Sequence, residues 1–484
     1  MNAALQRLRS LGPAPAAFFG SLLLSAIALA TNTLNRDGML YVRTAEAYLA
    51  GGLEAARESF DWLFLPILMA WGSRLTGLGP EAVGQLFNAL FMAGTCALLV
   101  SCVGRRQPEL AWWACLAVLS VIGINEYRHE LLREYGCWFF ALLAFRLALD
   151  WDARPGWLGA LAVQAALLVA ALFRSEALVL FAALAAWQAA SAAPGQRLRR
   201  VAMIAGLPAL SGLALLWAWS AGLLDGRLAM DLGRFSLERF DAKAAVLAST
   251  LVNWAEGNAG FILLAGSLAL VPFELVQKLG PFVLPLIFLM HARAVRSSAS
   301  RHALFAWGFA AHLPVLCVFV ADLQFLAGRY VGLSLLMLVP FVAAGLFRFT
   351  GRWPGTRLAV VTVAVLLALA NVVSTGEPRH HVVEAGRWLA ANAEESDTVY
   401  IDSRRVAHYA RWYFVPLAPP GARAAVERAV RGGRHTLYVL EVSDSDGPVE
   451  PWLDGVGLEV VRRFAGGNGG AVIVAAPVGT DVSD

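Results

Sequence analysis

A chain of 484 residues that is 58% hydrophobic and only 15% charged exceeds what one water-soluble core can hide, since soluble domains carry about 25% charged residues. At roughly 20 apolar residues per crossing, there is room for ten or more spans and a further domain of about a hundred residues. The formal net charge of +4 comes from arginines at span ends; it reflects topology, and with no separate basic tract it excludes a nucleic-acid partner.

Arg7 and Arg9 precede an apolar run ending near Ala30. Many further spans follow, so an uncleaved first helix is expected in place of a signal peptide. About eleven runs are expected to cross: 13–33, 81–103, 109–124, 136–150, 157–173, 177–192, 201–221, 279–293, 303–321, 331–347 and 357–374. The arginine-rich connections are the N-terminus, Gly104 to Arg106, Asp152 to Arg154, Arg197 to Arg200, His291 to His302 and Arg348 to Arg357. They fall alternately on one side if the N-terminus is cytoplasmic. The connections 34–80, 125–135, 174–176, 222–278 and 322–330, with everything after Thr375, then face outward.

The stretch 258–275 is apolar enough to be a further span, but counting it would put Arg293, Arg296 and Arg301 outside. A re-entrant or interfacial helix is expected there. Residues 41–50 and 54–78, interrupted by Gly51-Gly52, carry Arg43, Glu46, Glu54, Arg57, Glu58 and Asp61, which suits helices on the outer membrane surface. After Thr375, HHVVEAGRWLAANAEES has a helical period, and TVYIDS, HTLYVLEV and GAVIVAAP read as strands. The expected division is therefore a polytopic all-α membrane module, 1–375, and a small α/β domain, 376–484. Cys96, Cys102, Cys115, Cys137 and Cys317 sit in or beside apolar runs without CxxC spacing, so neither a disulfide framework nor a zinc site is expected.

The ionisable residues gather on the outward side: Arg36, Asp37, Asp61, Glu126 to Glu130, Arg133, Glu134, Arg174, Glu176, Glu256, Glu274, Lys278, Asp322, Arg329 and Tyr330. Few charges fall in mid-span, where ion pathways would need them. A one-sided cluster favours a reaction or binding site at the outer face. Asp37, in Asn35-Arg36-Asp37-Gly38, could act as general base on an acceptor hydroxyl or amine, or serve as the N-cap of a helix starting near Met39. Arg128, Arg133, Arg174, Arg329 and Lys278 suit phosphate oxygens or ordinary snorkelling to lipid headgroups. Glu126, Glu130 and Glu134 have the spacing of one helical face, where a divalent metal is weakly signalled.

These features resemble the GT-C glycosyltransferases, in the family of the protein O-mannosyltransferases and the bacterial lipid A aminoarabinose transferases. The resemblance runs through NRDGMLYVRTAEAYLAGG, FDWLFLPILMAWGSRLTGLGPEAVGQLFNALF, NEYRHELLREYG, LFRSEALVLF, QFLAGRYVGLSLLMLVPF and the tail from His380. It implies a polyprenyl-phosphate sugar donor and a lipid, glycan or protein acceptor. It also implies a reaction outside the cytoplasmic membrane, with Asp37 as catalytic base and no metal required. The donor-phosphate and substrate set it implies is Arg36, Arg128, Glu130, Arg133, Arg329 and Tyr330. This chain departs from the family in having glutamates where many relatives carry an aspartate in the second loop, and Leu65-Pro66 where His-Pro-Pro is common. An O-antigen-type polymerase or ligase, and a lipid or solute transporter, are the competing readings.

Overall fold

The computed structural model describes residues 12–30, 33–224, 226–373, 379–396, 398–412, 423–443, 447–466 and 470–479. Arg7, Arg9 and Thr375 lie outside the described residues. Short turns aside, the first helices are α1 (Pro13–Leu29), α2 (Arg36–Ser59), α3 (Phe64–Thr76), α4 (Pro80–Arg106), α5 (Ala111–Ser120), α6 (Glu134–Ala153) and α7 (Trp157–Phe173). Next come α8 (Val179–Ser191), α9 (Arg197–Ser220), α10 (Leu237–Ala248), α11 (Ala259–Leu279), α12 (Val283–His291), α13 (Ala303–Leu323), α14 (Gly332–Arg352) and α15 (Arg357–Ala370). The remainder holds α16 (His380–Asn392), α17 (Arg404–Tyr409) and α18 (Arg423–Gly432), with strands β1 (Val399–Ile401), β2 (Leu437–Val442), β3 (Leu458–Ala465) and β4 (Ala471–Pro477).

Among the described residues five helical stretches are long and apolar enough to cross a membrane: Pro80–Arg106, Pro194–Ser220, Asn253–His291, Ala303–Leu323 and Gly328–Arg352. The third takes in both 258–275 and 279–291. The nine residues of α12 are about 14 Å long at 1.5 Å per residue, half of a hydrocarbon core of about 30 Å. They follow α11 across Gly280, whose φ of 56° and ψ of −133° interrupt the helix. The stretch expected to lie apart is thus the longer part of one run of 39 residues. Taken as a single crossing, it leaves the alternation of arginine-rich ends intact.

Contacts divide the chain into two units, Met1–Ala26 with Phe60–Arg128 and Leu132–Val372, and Ile27–Ser59 with His129–Leu131 and Val373–Asp484. Ile27–Ser59, with α2, and the three residues His129–Leu131 thus group with the C-terminal part. In the first unit α14 is central, with 83% of its apolar window buried against 17% for Pro194–Ser220. It packs on α5, α12 and α13, while α6 packs on α4 and α7. Glycines set the spacing, as they do where helices meet without water between them. A Cβ on Gly345 would lie 2.2 Å from the Pro285 carbonyl oxygen, and one on Gly332 would lie 2.1 Å from Trp138 Cζ2.

In the second unit the sheet order is β1-β2-β4-β3, with β1 and β2 parallel and the other pairs antiparallel. Side chains alternate between two cores, as strand geometry requires. Val399, Ile401, Val439, Val472 and Val474 pack with Val382, Leu389 and Val406 on one face, and Tyr438, Leu440 and Ile473 with Val426 and Leu453 on the other. The runs read as strands form β1, β2 and β4. β3 went unread because Glu459, Arg462 and Arg463 interrupt its apolar pattern at the sheet edge. Helix α2 begins at Arg36, earlier than expected, and runs through Gly51 to a kink at Gly52, whose φ is 72°.

His408, buried behind the sheet, has its pKa lowered by desolvation to about 4 from 6.5. The unfolded imidazole binds a proton near pH 6.5 that the folded one refuses until about pH 4. The second unit is therefore fully stabilised above pH 6.5 and loses up to roughly 3 kcal/mol as pH falls toward 4. Amide exchange in β1 and β2, corrected for intrinsic rates, should lose protection over that interval, and His408→Phe should flatten the loss. In the first unit, Gly345→Ala should lower the thermal midpoint of detergent-purified protein by several degrees, while Gly351→Ala, whose Cβ meets nothing within 4 Å, should leave it in place.

Candidate active site

Asp37 sits in the second unit, in the first turn of α2, half-buried beside the exposed Arg36. It does not cap that helix. Met39 N–H donates to the Asn35 carbonyl (2.9 Å) and Gly38 N–H to Asn35 Oδ1 (3.3 Å), which makes Asn35 the N-cap. Asn35 Oδ1 also accepts from Leu131 N–H (3.0 Å), and its Nδ2 donates to Glu130 Oε2 (3.3 Å). One amide thus ties the chain before α2 to the segment before α6. An acidic residue in a first helical turn is stabilised by the unsatisfied N–H groups there, so a carboxylate at 37 is compatible with the helix without holding it in place.

The first unit carries a separate charged cluster. Arg174 donates to Glu134 and pairs with Glu176, the three side chains being 5–11% exposed. Its guanidinium lies over the Tyr330 ring, 4.7 Å from the centroid, and Arg329 stands 5.6 Å from the same centroid and 3.6 Å from Glu134 Oε1. Burial works against the charge on Arg174, but Glu176 and Glu134 hold its pKa well above the ordinary arginine value. Arg329 is the more exposed of the two arginines, at 22% against 11%. Arg133 lies over the Phe60 and Trp62 rings at 5.7 and 6.0 Å, and Trp62 Nε1 donates to the Leu172 carbonyl (2.6 Å). Lys278 pairs with Glu126 at 2.8 Å and lies over Tyr127.

The residues of the expected set fall in both units. Asp37, Arg36 and Glu130 belong to one unit, and Arg133, Arg329 and Tyr330 to the other. Arg128 is 3% exposed and donates to Asn125 Oδ1, the Ser21 carbonyl, Ser21 Oγ and Ser25 Oγ. This guanidinium anchors α1 through Nε and Nη1, and its Nη2 is buried without a hydrogen-bond partner. Glu126, Glu130 and Glu134 share no helical face, because 126–133 is a series of turns and α6 starts only at Glu134. Each carboxylate has its own partners, so the row that spacing suggested for a metal is not assembled.

Sequence reasoning missed Arg234, Arg239 and Asp231. Arg239 donates to Asp322 through Nε (2.6 Å) and Nη2 (3.1 Å), Arg234 pairs with Asp322 at 3.3 Å and with Asp231 at 3.1 Å, and Ser175 Oγ donates to Asp231 at 2.8 Å. No local pattern could have found partners 83 positions apart; the available signal was Asp322, a carboxylate at the end of an apolar run.

No protein-family model matches this chain, and no curated protein matches it. Solved structures do. ArnT from Cupriavidus metallidurans bound to undecaprenyl phosphate superposes with a TM-score of 0.54 at 13% identity, over 96% of this chain and 98% of that one. The fold is that of the GT-C glycosyltransferases. The oligosaccharyltransferase of Archaeoglobus fulgidus, tethered to an acceptor peptide by a disulfide, gives a TM-score of 0.51 at 11% identity, over 88% of this chain and 69% of that one. The resemblance drawn from the sequence is borne out as one of fold, and at such identities no residue role is carried across.

Glu134 stands between two arginines, and removing one partner from a buried ion pair leaves an uncompensated charge, at a cost of about 3–5 kcal/mol. Glu134→Ala should therefore lower the thermal midpoint markedly. Breaking the exposed Arg463–Glu450 pair, at 52% and 55% exposure, by Arg463→Gln should move it by less than about a degree.

Proposed function

We propose that this chain is an inverting membrane glycosyltransferase, transferring a sugar from a polyprenyl-phosphate donor to a lipid, glycan or protein acceptor at the outer face of the cytoplasmic membrane. The observation that carries this reading is Asp37. It is a carboxylate held on a turn capped by another residue, in a chain whose fold is shared with a protein solved with undecaprenyl phosphate. The proposed topology has about eleven crossings, a cytoplasmic N-terminus and an α/β domain from 376 onward outside.

In this reading Asp37 takes the proton from the acceptor hydroxyl or amine as that atom attacks the anomeric carbon. The new glycosidic bond forms as the bond from carbon to phosphate oxygen breaks, and polyprenyl phosphate leaves with the electron pair. Phosphate is already a good leaving group. Arginines have only to stabilise the charge developing on it, a task suited to Arg329, Arg133 and Arg174, with Tyr330 keeping the guanidinium groups in place. Arg36 and Glu130 are left for acceptor or sugar contacts.

The test is release of polyprenyl phosphate from a panel of polyprenyl-phosphate sugars by purified protein, with a membrane extract as acceptor. One donor should be consumed, and Asp37→Asn should slow its turnover by about 100-fold or more. If no donor is consumed, or Asp37→Asn is as fast as wild type, the polymerase or transporter reading takes precedence.

A further inference from the structure

The turn that carries Asp37 is held at one more point, from the C-terminal part of its own unit. Tyr409, the last residue of α17, accepts a hydrogen bond at its phenolic oxygen from Leu34 N–H, at 3.2 Å. Leu34 is 2% exposed, so without that oxygen its N–H has little access to water in exchange. Leu34 immediately precedes the capping Asn35, and its side chain is packed against the turn. A Cβ on Gly38 would lie 2.8 Å from Leu34 Cδ1 and 2.6 Å from Asn35 Oδ1.

The other end of this contact is equally constrained. Ser403, directly after β1, caps α17 by accepting from Val406 N–H (3.2 Å), and its hydroxyl donates to Glu441 Oε2 in β2 (2.6 Å). On its far side α17 meets α16 at Gly386, where a Cβ would lie 2.6 Å from Tyr409 Cβ and 2.9 Å from the Val406 carbonyl oxygen. The short helix is thereby clamped between sheet and helix, and its terminal tyrosine meets α2, on which α17 packs.

We propose that Tyr409 is a positioning residue for Asp37, and that the sheet of the C-terminal part serves in catalysis by holding the base-bearing turn in register. The inference rests on the assignment of Asp37 as base. Its physical basis is that an oxygen and an N–H at fixed positions restrict the entry of the chain into α2. A catalytic group misplaced by about 1 Å loses around 100-fold in rate.

The test uses the full chain in nanodiscs and the donor identified by phosphate release. Tyr409→Phe keeps the ring and removes only the hydroxyl, and with it the acceptor for Leu34 N–H. It should lower kcat about tenfold and leave KM for the donor within about twofold. The double variant Tyr409→Phe with Asp37→Asn should be no slower than Asp37→Asn alone, since a residue acting through Asp37 has nothing left to position. Amide exchange at Leu34 should accelerate in Tyr409→Phe, while exchange in α14 stays unchanged. Tyr400→Phe, the same chemical change in β1, should leave kcat at the wild-type value.

Full multiplicative losses in the double variant, or a fall in kcat with unaltered exchange at Leu34, would overturn the proposal in favour of a general structural role. An Asp37→Asn protein as fast as wild type would instead remove the base assignment, and the exchange result alone would then decide whether Tyr409 holds the turn.

Discussion

Charge cannot be left unpaired at the end of an apolar span, and the first unit is organised by that constraint. Its helices meet through small residues and dispersion, with no water to expel between them, so helix packing does little to fix the connections that emerge. The ion pairs supply what packing lacks. Glu134, Arg174, Glu176 and Arg329 join the connections 125–135, 174–176 and 322–330, while Asp231, Arg234 and Arg239 tie 222–278 to Asp322 at the start of the last of these. Isolated pairs in water would contribute little, but these side chains are mostly buried, and each network would leave a stranded charge if a single member were lost.

How much of this was legible follows from the range of the interaction involved. The apolar runs, the α16 helix and three of the four strands are written in local periodicity, and they appear where their patterns fall. Around Gly280 periodicity leaves the path of the chain open, because a single glycine interrupts the helix inside a continuous apolar stretch. The carboxylates at 126, 130 and 134 fail for a related reason: spacing implies a shared face only if the segment is helical, and here the helix begins at the last of the three. Pairs such as Arg239 with Asp322 are non-local, and composition can announce only that some partner is needed.

Arg128 illustrates the limit of reading function from residue type. Its place in an outward connection matched that of Arg133 and Arg329, yet two serines one helical turn apart on α1, Ser21 and Ser25, supply three acceptors that fit a guanidinium. An arginine so enclosed fixes a helix to a loop, whatever else its remaining Nη2 meets. Sequence alone could have raised the question, since serines at i and i+4 on an otherwise apolar helix need partners.

The chemistry of the Asp37 turn depends on the amide at position 35. An aspartate would cap the helix as well, but its second oxygen would meet the Glu130 carboxylate, to which the Asn35 amide donates. Asparagine supplies an acceptor to two N–H groups and a donor to a carboxylate, which no other side chain of that length can do. The capping of the turn thus falls to a neutral residue. Tyr409 adds a support of the same kind, a neutral oxygen that accepts from the backbone N–H of Leu34 and fixes the entry of the chain into the turn.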